Sequence, residues 1–460
     1  MTSATQLPAI KPSAHPPGPR QYFPGLLGLS FRRDVLGFLT RMFREHGDVV
    51  YFRVGGSPFY LFYHPDAVRD VLVTRDDSFI KGPALQRAKQ TLGDGLLTSE
   101  GDLHRRQRRL AQPSFHPQRV ARYGSVMAGI ARDAADQWHD GQQVNIHEEM
   151  MAITLRIVAK TLFDADVEAD VDAIGGSVDT SVKMFTRAMS PWGPLLNWLP
   201  LPSNRRFLRA QKHLFETIDR FVVEHRAAGV DKGDLLSTLL KAHDAEQVAD
   251  PMGEAADRDK RLRQELYTIF TAGHETTANA LAFTLYLLAK NPQIEQQLLE
   301  ELRQALGSNL PTVDDVERLP YARMVLAESM RLYPPAWAIG RQAIRDVEIA
   351  GYTLPEGAVV LTCQWVIHRD PRWYPDPEKF DPQRWTPEAR SQRPRWSYFP
   401  FGGGSRQCIG ESFAWMEAIL VLAAILPKWK IELTDDKPLT LRPTITLRPK
   451  ERIPMRLRKR

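Results

Sequence analysis

The chain has 460 residues, of which 43% are hydrophobic and 25% charged, a composition typical of a globular protein with a substantial core. Lysine and arginine exceed aspartate and glutamate by only 6 (61 against 55), an excess too small to indicate nucleic-acid binding on its own. Two cysteines make no disulfide framework and no apolar run reaches about 18 residues, so we expect a reducing compartment and no transmembrane anchor.

The first elements follow a proline-rich start. Residues 1–20 contain five prolines and no hydrophobic stretch of a secretory signal, and we predict that this segment is flexible. A helix is expected from about Phe31 to His46, where Gly47 ends it. Val49–Val54 and Phe59–Tyr63 then predict two strands around a Gly-Gly-Ser-Pro turn.

Residues 21–460 are expected to form a single domain. Helical periodicity dominates from about Asp102 to Gly307, and short strands follow Leu332. The fold class is therefore mainly α, with a large helical region and a small β-rich subregion.

A basic helix opens the helical region, with the sequence DLHRRQRRL over Asp102–Leu110. His104 and Arg108 are four residues apart and share a helix face. The neighbouring arginines face either a protein partner or water. Nucleic acid is not expected, because no aromatic stacking platform accompanies the cluster.

A connection rich in tryptophan, leucine and proline spans Val182–Phe207. Two interpretations remain open and equal: an exposed apolar lid over an entrance, or ordinary packing between helices.

The next long helix contains AGHETT over Ala272–Thr277. The Thr276 hydroxyl can bond the Ala272 carbonyl four residues earlier, and a glycine weakens the same turn. Glu275 beside Thr276 forms an acid–alcohol pair able to relay protons. The alternative is a helix with a polar kink, and His274 is expected to face the neighbouring helix rather than to bind a metal.

Two charged elements follow. Glu328 and Arg331 are three residues apart on one helix face, and Arg384 lies farther along in FDPQRW. Pairs of this spacing are common and contribute little at a surface, so this signal is weak by itself.

The most specific string is FPFGGGSRQCIG, which contains Cys408. Three glycines allow a close backbone approach to a planar group. A helix is predicted over Glu411–Leu426, ended by Pro427, so the sulfur lies just before a helix N-terminus that favours a thiolate and suits an iron ligand. The alternative is a buried cysteine after a turn, which is the role expected for Cys363.

This string resembles the haem-binding loop of the cytochrome P-450 family, with Phe401, Gly402, Arg406, Cys408 and Gly410 at the fixed positions. The resemblance covers nearly the whole chain. It implies the P-450 fold and haem b bound through the Cys408 thiolate as the only protein ligand to the metal.

The resemblance also assigns roles elsewhere. Glu275 and Thr276 match the catalytic acid–alcohol pair, and Glu328 matches a structural carboxylate shared by Arg331 and Arg384. Residues expected to bind the cofactor, mainly at its propionates, are His104 (where tryptophan is frequent), Arg108, Arg341 and Arg406. The expected substrate pocket comprises Ala272, Trp337, Ala338, Ile339 and the stretch Ala84–Leu97.

The function implied is that of a soluble, cytoplasmic monooxygenase. It would insert one atom of dioxygen into a hydrophobic small molecule of the fatty acid, terpenoid or steroid class. Electrons would come from a separate ferredoxin or flavodoxin type donor and its NAD(P)H reductase, and the apolar connection can touch a membrane surface. The alternatives are a peroxide-driven peroxygenase or rearranging enzyme, a non-catalytic haem sensor or ligand binder, and an α-rich binding protein without haem.

Overall fold

A computed structural model of the chain describes residues 15–20, 26–188, 196, 199, 201–229, 231–249 and 255–460. These residues fall into two compact units, each assembled from separate stretches of sequence. The first unit contains the chain up to Gln86, Ala336–Lys379 and Pro387–Cys408. The second contains Arg87–Pro335, Phe380–Thr386 and Ile409–Arg460.

The described residues form these α-helices: α1 (Leu26–Arg33), α2 (Val35–His46), α3 (Pro65–Arg69), α4 (Pro83–Leu92), α5 (Gly101–Ala111), α6 (Pro117–Ala121), α7 (Gly124–Asp136), α8 (Ile146–Phe163), α9 (Val171–Ala188), α10 (Pro202–Ala228), α11 (Leu235–Ala249), α12 (Ala255–Lys290), α13 (Pro292–Leu306), α14 (Pro320–Leu332), α15 (Gln364–Ile367), α16 (Pro387–Ser391) and α17 (Glu411–Ile425). The strands are β1 (Val49–Val54), β2 (Ser57–Phe62), β3 (Phe79–Lys81), β4 (Gln143–Asn145), β5 (Ile339–Ala343), β6 (Val347–Ile349), β7 (Tyr352–Leu354), β8 (Val359–Thr362), β9 (Trp429–Leu433), β10 (Leu441–Pro443), β11 (Leu447–Pro449) and β12 (Pro454–Lys459).

The first unit is built around a five-stranded sheet in the order β1-β2-β8-β5-β3. Strands β2 and β8 run parallel and the other pairs antiparallel, with Lys81 of β3 opposite Arg341 of β5. The hairpin of β6 and β7 completes its β structure among the described residues. Apolar side chains from the sheet and from α2, including Phe38 and Phe62, form a buried core.

The predicted helix over Phe31–His46 is two helices in the structure. Asp34 separates them, because its carboxylate caps α2 by accepting the Gly37 N–H at 3.0 Å. Helix α2 ends at His46 as expected, with Gly47 at φ 84°. At the N-terminal end, the ring of His15 stacks on Tyr51 with centroids 4.3 Å apart. The carboxyl end of the proline-rich segment therefore packs against β1.

The second unit is largely helical, and its core follows the long helix α12. Nearly every side chain of this helix from Leu266 to Leu288 is buried, except around Ala272. A three-stranded sheet in the order β4-β12-β9 and the hairpin of β10 and β11 provide its strands among the described residues. The mainly α fold with small β-rich regions is as predicted, and α17 ends just before Pro427.

The middle of the apolar connection predicted over Val182–Phe207 lies outside the described residues, apart from residues 196, 199 and 201; α9 ends at Ala188 and α10 begins at Pro202. Among the helices that the structure describes, none combines the length and the apolar character required to cross a membrane.

Candidate functional site

Cys408 is the last residue of the first unit and lies in a tight, glycine-dependent turn. Its backbone N–H donates to the Phe401 carbonyl at 2.9 Å, which closes the turn. Gly402 and Gly404 have φ of 72° and 68°, a region that other residues avoid. A Cβ on Gly404 would also overlap the Leu72 carbonyl, so this glycine is required for packing as well as for its dihedral angle.

The two cysteines of the chain differ in a way that separates their functions. The Cys408 side chain is exposed, whereas Cys363 is buried in the core of the first unit. Burial raises the pKa of the Cys363 thiol to about 12 and keeps it protonated. Cys363 is therefore the core residue predicted, and Cys408 is the thiol that fits an iron ligand outside the core.

Two arginines near this turn belong to the same unit. The Arg406 guanidinium forms an ion pair with Asp76 and donates to the Phe79 carbonyl at 2.8 Å. Its charge is therefore already compensated by a carboxylate. Arg341 lies on β5 with only 4% of its surface exposed, and it donates to the Gly340 carbonyl at 3.1 Å.

His104 and Arg108 lie on α5 in the second unit, one helical turn apart. His104 is buried and Arg108 is partly buried, although the helix carries exposed arginines beside them. Imidazole and guanidinium groups are suitable donors for propionate oxygens. The predicted cofactor-binding residues thus occur in both units, with Phe401, Arg406 and Arg341 in the first and Gly410, His104 and Arg108 in the second.

The AGHETT segment forms a regular part of α12. The Thr276 hydroxyl donates to the Ala272 carbonyl at 3.0 Å, as the spacing predicted. The next hydroxyl, that of Thr277, donates to the Gly273 carbonyl at 3.4 Å. Ala272 is exposed although the helix around it is buried, so this turn presents a small apolar surface.

Glu275 does not join Thr276 in this structure. Its carboxylate is buried and accepts the Arg448 Nε–H at 2.6 Å and the hydroxyl of Thr446. Arg448 also contacts Asp179 of α9 at 2.9 Å. Burial opposes the charge on Arg448, but the two carboxylates outweigh it and raise the pKa of the guanidinium above its ordinary value. The acid of the predicted pair is thus held by an ion pair.

His274 faces the neighbouring helix, as expected. Its carbonyl accepts the Thr154 hydroxyl of α8 at 3.0 Å, and its ring Nδ1 contacts the Phe270 carbonyl at 3.1 Å. Complete burial lowers the pKa of the imidazole and keeps it neutral. Within the described part of the chain, no cluster of three or more His, Cys, Asp or Glu side chains is arranged to hold a metal ion.

Glu328 is the centre of a buried cluster in the second unit. Its two oxygens accept Nε and Nη2 of Arg331, each at 2.8 Å, and one lies 3.3 Å from Arg384 Nε. The Asp381 backbone N–H and the Trp385 indole each donate to the carboxylate at 2.9 Å. One carboxylate is thus shared between two guanidinium groups.

The remaining pocket candidates lie apart in the sequence and in different units. Trp337, Ala338 and Ile339 precede and begin β5, and all three are partly buried. The Trp337 carbonyl accepts the Trp365 N–H at 3.0 Å. Of the stretch Ala84–Leu97, residues 84–92 belong to α4.

Sequence reasoning missed Arg448, Thr446, Asp179 and Glu417. In TITLRP, the residues Thr446 and Arg448 alternate with apolar residues, and a period of two places them on one face of a strand. Glu417 lies in a helix that is apolar apart from its first turn, and the structure places its side chain fully inside the protein. The helix pattern signals a buried charge whose partner must come from elsewhere in the chain. The strand pattern does not, because alternation with apolar residues is typical of a solvent-exposed polar face.

Comparisons with known proteins agree on one family. A family model described as Cytochrome P450 matches residues 15–455. Cyclooctatin synthase of Streptomyces melanosporofaciens is 39% identical over 422 residues, 91% of this chain and 90% of that protein. Pentalenene oxygenase of Streptomyces avermitilis is 34% identical over 407 residues, 88% of each. The crystal structure of the cytochrome P450DA haem domain is 28% identical with a TM-score of 0.84, covering 98% of this chain and 99% of that one.

Proposed function

This chain belongs to the cytochrome P450 family of haem b monooxygenases, and we propose that it inserts one oxygen atom into a cyclic terpenoid. The observation that carries the proposal is the exposed Cys408 thiol in its glycine-dependent turn. The names of two relatives, cyclooctatin synthase and pentalenene oxygenase, favour a terpenoid over a fatty acid or steroid. The exposed Ala272 and the partly buried Trp337 and Ile339 would suit an apolar substrate.

Cys408 would hold the haem iron as a thiolate, and His104, Arg108, Arg341 and Arg406 are the proposed cations near its propionates. When bound, haem b supplies the reductive activation of dioxygen. Each turnover consumes one dioxygen, two electrons and two protons, and yields the oxygenated substrate and one water. We expect the electrons from a ferredoxin or flavodoxin type protein and its NAD(P)H reductase.

Thr276 and Glu275 are the proposed residues of proton delivery. The Thr276 hydroxyl is held on its own helix by the Ala272 carbonyl. Arg448 is always charged and cannot pass a proton, so its proposed role is to hold Glu275 in place. Glu275 can reach Thr276 only after leaving Arg448, and Asp179, 41% exposed, offers Arg448 a second carboxylate at the protein surface.

The test of ligation is spectroscopic. The reduced carbon monoxide complex should show the absorbance of thiolate-ligated haem, Cys408→Ser should lose it, and Cys363→Ser is the matched control that should keep it. A Cys408→Ser protein with an unchanged spectrum would rule out this ligand.

The test of substrate class compares terpenoids, fatty acids and steroids as inducers of the low-to-high-spin shift of the haem. Cyclic terpenoids should give the shift and should be oxygenated with NAD(P)H, ferredoxin and reductase. Turnover with peroxide alone would instead favour the peroxygenase alternative.

Proton delivery is tested with Thr276→Ala, which should keep the carbon monoxide spectrum but divert electrons to peroxide. Thr284→Ala removes a similar hydroxyl, bonded to the Ala280 carbonyl at 2.7 Å on the same helix, and should leave the coupling of electrons to product unchanged. Equal coupling in the two variants would contradict the role of Thr276.

A further inference from the structure

Two buried hydroxyl groups lie on the same face of α12 as Glu275. They belong to Tyr267 and Thr271, which precede Glu275 by eight and four residues, so the three side chains follow one another along one helix face. Tyr267 is 0% exposed. Among the described residues, neither hydroxyl has a hydrogen bond within the usual geometric limits. A buried hydroxyl without a partner costs free energy, so each of them requires one.

Helix α9 supplies a third hydroxyl at the same place. The hydroxyls of Ser181 on α9 and of Thr271 both face that of Tyr267. Ser181 is 2% exposed and donates its own proton to the Ser177 carbonyl at 3.0 Å, so its lone pairs remain to accept. Burial raises the pKa of Tyr267, although the two facing hydroxyls oppose the shift, and Glu275 is close enough to raise it further. The phenol therefore keeps its proton and can donate it.

The chemistry of this cluster suits water. Three hydroxyls from two helices converge, and a buried water makes about three hydrogen bonds, usually to polar groups that have no other partner. The residues around the cluster are apolar: Val178 and Val182 are buried on α9, and the Phe215 ring of α10 packs edge-on against Tyr267 with centroids 5.4 Å apart. Because the ring is fixed in this way, the Tyr267 hydroxyl is held toward α9.

The polar residues of α9 continue toward the protein surface. Ser177 lies one helical turn before Ser181, and its hydroxyl contacts Nδ1 of His213 on α10 at 3.1 Å. Both Ser177 and His213 are partly exposed. An imidazole exchanges protons with solvent near neutral pH. Polar groups thus extend from a solvent-accessible pair at one end to the buried Glu275 at the other.

We propose that Tyr267, Thr271 and Ser181 bind water between α9 and α12, and that this water supplies protons to Glu275 from the Ser177 end. The three are positioning residues, because they hold the water and do not touch the reacting atoms. When Glu275 has given up a proton, its carboxylate takes one from the water, the water takes one from the next group outward, and solvent replaces the last. The route does not pass through Arg448, and it rests on the proposed function of Glu275 in proton delivery.

The water site is tested by a crystal structure of the holoprotein at a resolution that shows ordered water. A water should lie within hydrogen-bond distance of the Tyr267 hydroxyl and of Ser181 or Thr271, and Tyr267→Phe should lose it. A dry contact in which the three hydroxyls bond only one another would overturn the proposal. This result does not depend on what the enzyme oxidises or on the role of Glu275.

The supply of protons is tested by the rate of product formation in H2O and in D2O. Tyr267→Phe removes one donor, so we expect a rate about fivefold lower, the effect of one hydrogen bond, and a larger ratio of the two rates than in the wild type. The substrate concentration for half of the spin shift should not change. Tyr286→Phe is the matched control, because it makes the same change at a buried tyrosine farther along α12 and should match the wild type. A purely structural role of Tyr267 would leave the isotope ratio unchanged.

Two outcomes would overturn the supply of protons through this water. In the first, Tyr267→Phe and Tyr286→Phe have the same isotope ratio. In the second, Ser181→Ala, which serves if Tyr267→Phe does not fold, keeps the ratio of the wild type. If Thr276→Ala diverts electrons to peroxide while Tyr267→Phe changes neither rate nor ratio, the proposed function stands and the water route is wrong.

Discussion

Arg448→Met is the most informative perturbation of the buried charges. Methionine retains much of the length and apolar contact of the arginine stem but removes the guanidinium. Glu275, whose side chain is 3% exposed, then loses the donor that lies 2.6 Å from its carboxylate. Arg452→Met is the matched control, because Arg452 lies on the same segment and pairs with Glu148 at 3.5 Å at the surface.

The expected magnitudes follow from exposure. Breaking a buried pair by removing one partner costs about 3–5 kcal/mol, because the other charge is left in the interior. The second contact of Arg448, with the 41% exposed Asp179, adds about 0–1 kcal/mol. The control pair has side chains 78% and 61% exposed, so Arg452→Met should cost about 0–1 kcal/mol.

Urea unfolding of the holoprotein at pH 7 gives the free energy of unfolding of both variants. The dependence of this free energy on urea concentration should be the same in both if they unfold by the same mechanism. Adding Glu275→Gln to Arg448→Met should recover more than half of the lost stability, since the uncompensated charge disappears. Equal costs for Arg448→Met and Arg452→Met would refute the assignment of a buried ion pair. If the double variant does not recover stability, the loss in Arg448→Met comes from packing and not from charge.

Three further outcomes are expected. Glu328→Gln should lower the free energy of unfolding by about 3–5 kcal/mol in urea titrations, because two guanidinium groups lose their shared carboxylate, while the exposed Glu348→Gln should change little. Gly404→Ala should prevent haem incorporation, measured as the ratio of Soret to protein absorbance, because residue 404 has a positive φ and the added methyl group would overlap the Leu72 carbonyl. Gly56 also has a positive φ but has open space around it, so the control variant Gly56→Ala should incorporate haem normally. Since burial raises the pKa of Glu417, the unfolded chain releases this proton at a lower pH than the folded protein, so the free energy of unfolding of the wild type should fall relative to that of Glu417→Gln as the pH rises above about 4.3. Parallel pH profiles of the two proteins would contradict a raised pKa of Glu417.

Local patterns predicted the features that depend on residues close in sequence. The positive φ of Gly402 and Gly404, the Thr276 bond to Ala272, and the i, i+3 contact of Glu328 with Arg331 all follow from spacing and backbone geometry. The same holds for the end of α2 at Gly47.

The partners that come from distant parts of the chain could not be predicted this way. Glu275 and Arg448 are 173 residues apart, and their contact depends on how the hairpin of β10 and β11 packs in the second unit. Nothing in the local sequence of Arg406 indicates that Asp76, 330 residues earlier, compensates its charge. The break at Asp34 was missed for a different reason, because a capping side chain within an amphipathic pattern outweighed the periodicity.

Three buried carboxyl groups in the second unit differ in what they can do because their donors differ. Glu328 accepts from the Arg331 guanidinium, an indole and a backbone N–H and forms an ion pair with Arg384, so no single motion can release it. Glu417 has no cationic partner among the described residues, and burial raises its pKa well above the ordinary value. Glu275 is bound by one guanidinium and one hydroxyl, and that guanidinium has a second carboxylate available at the surface. The Arg448 guanidinium stays paired with Asp179 if Glu275 moves away, which suits the proton delivery proposed for Glu275.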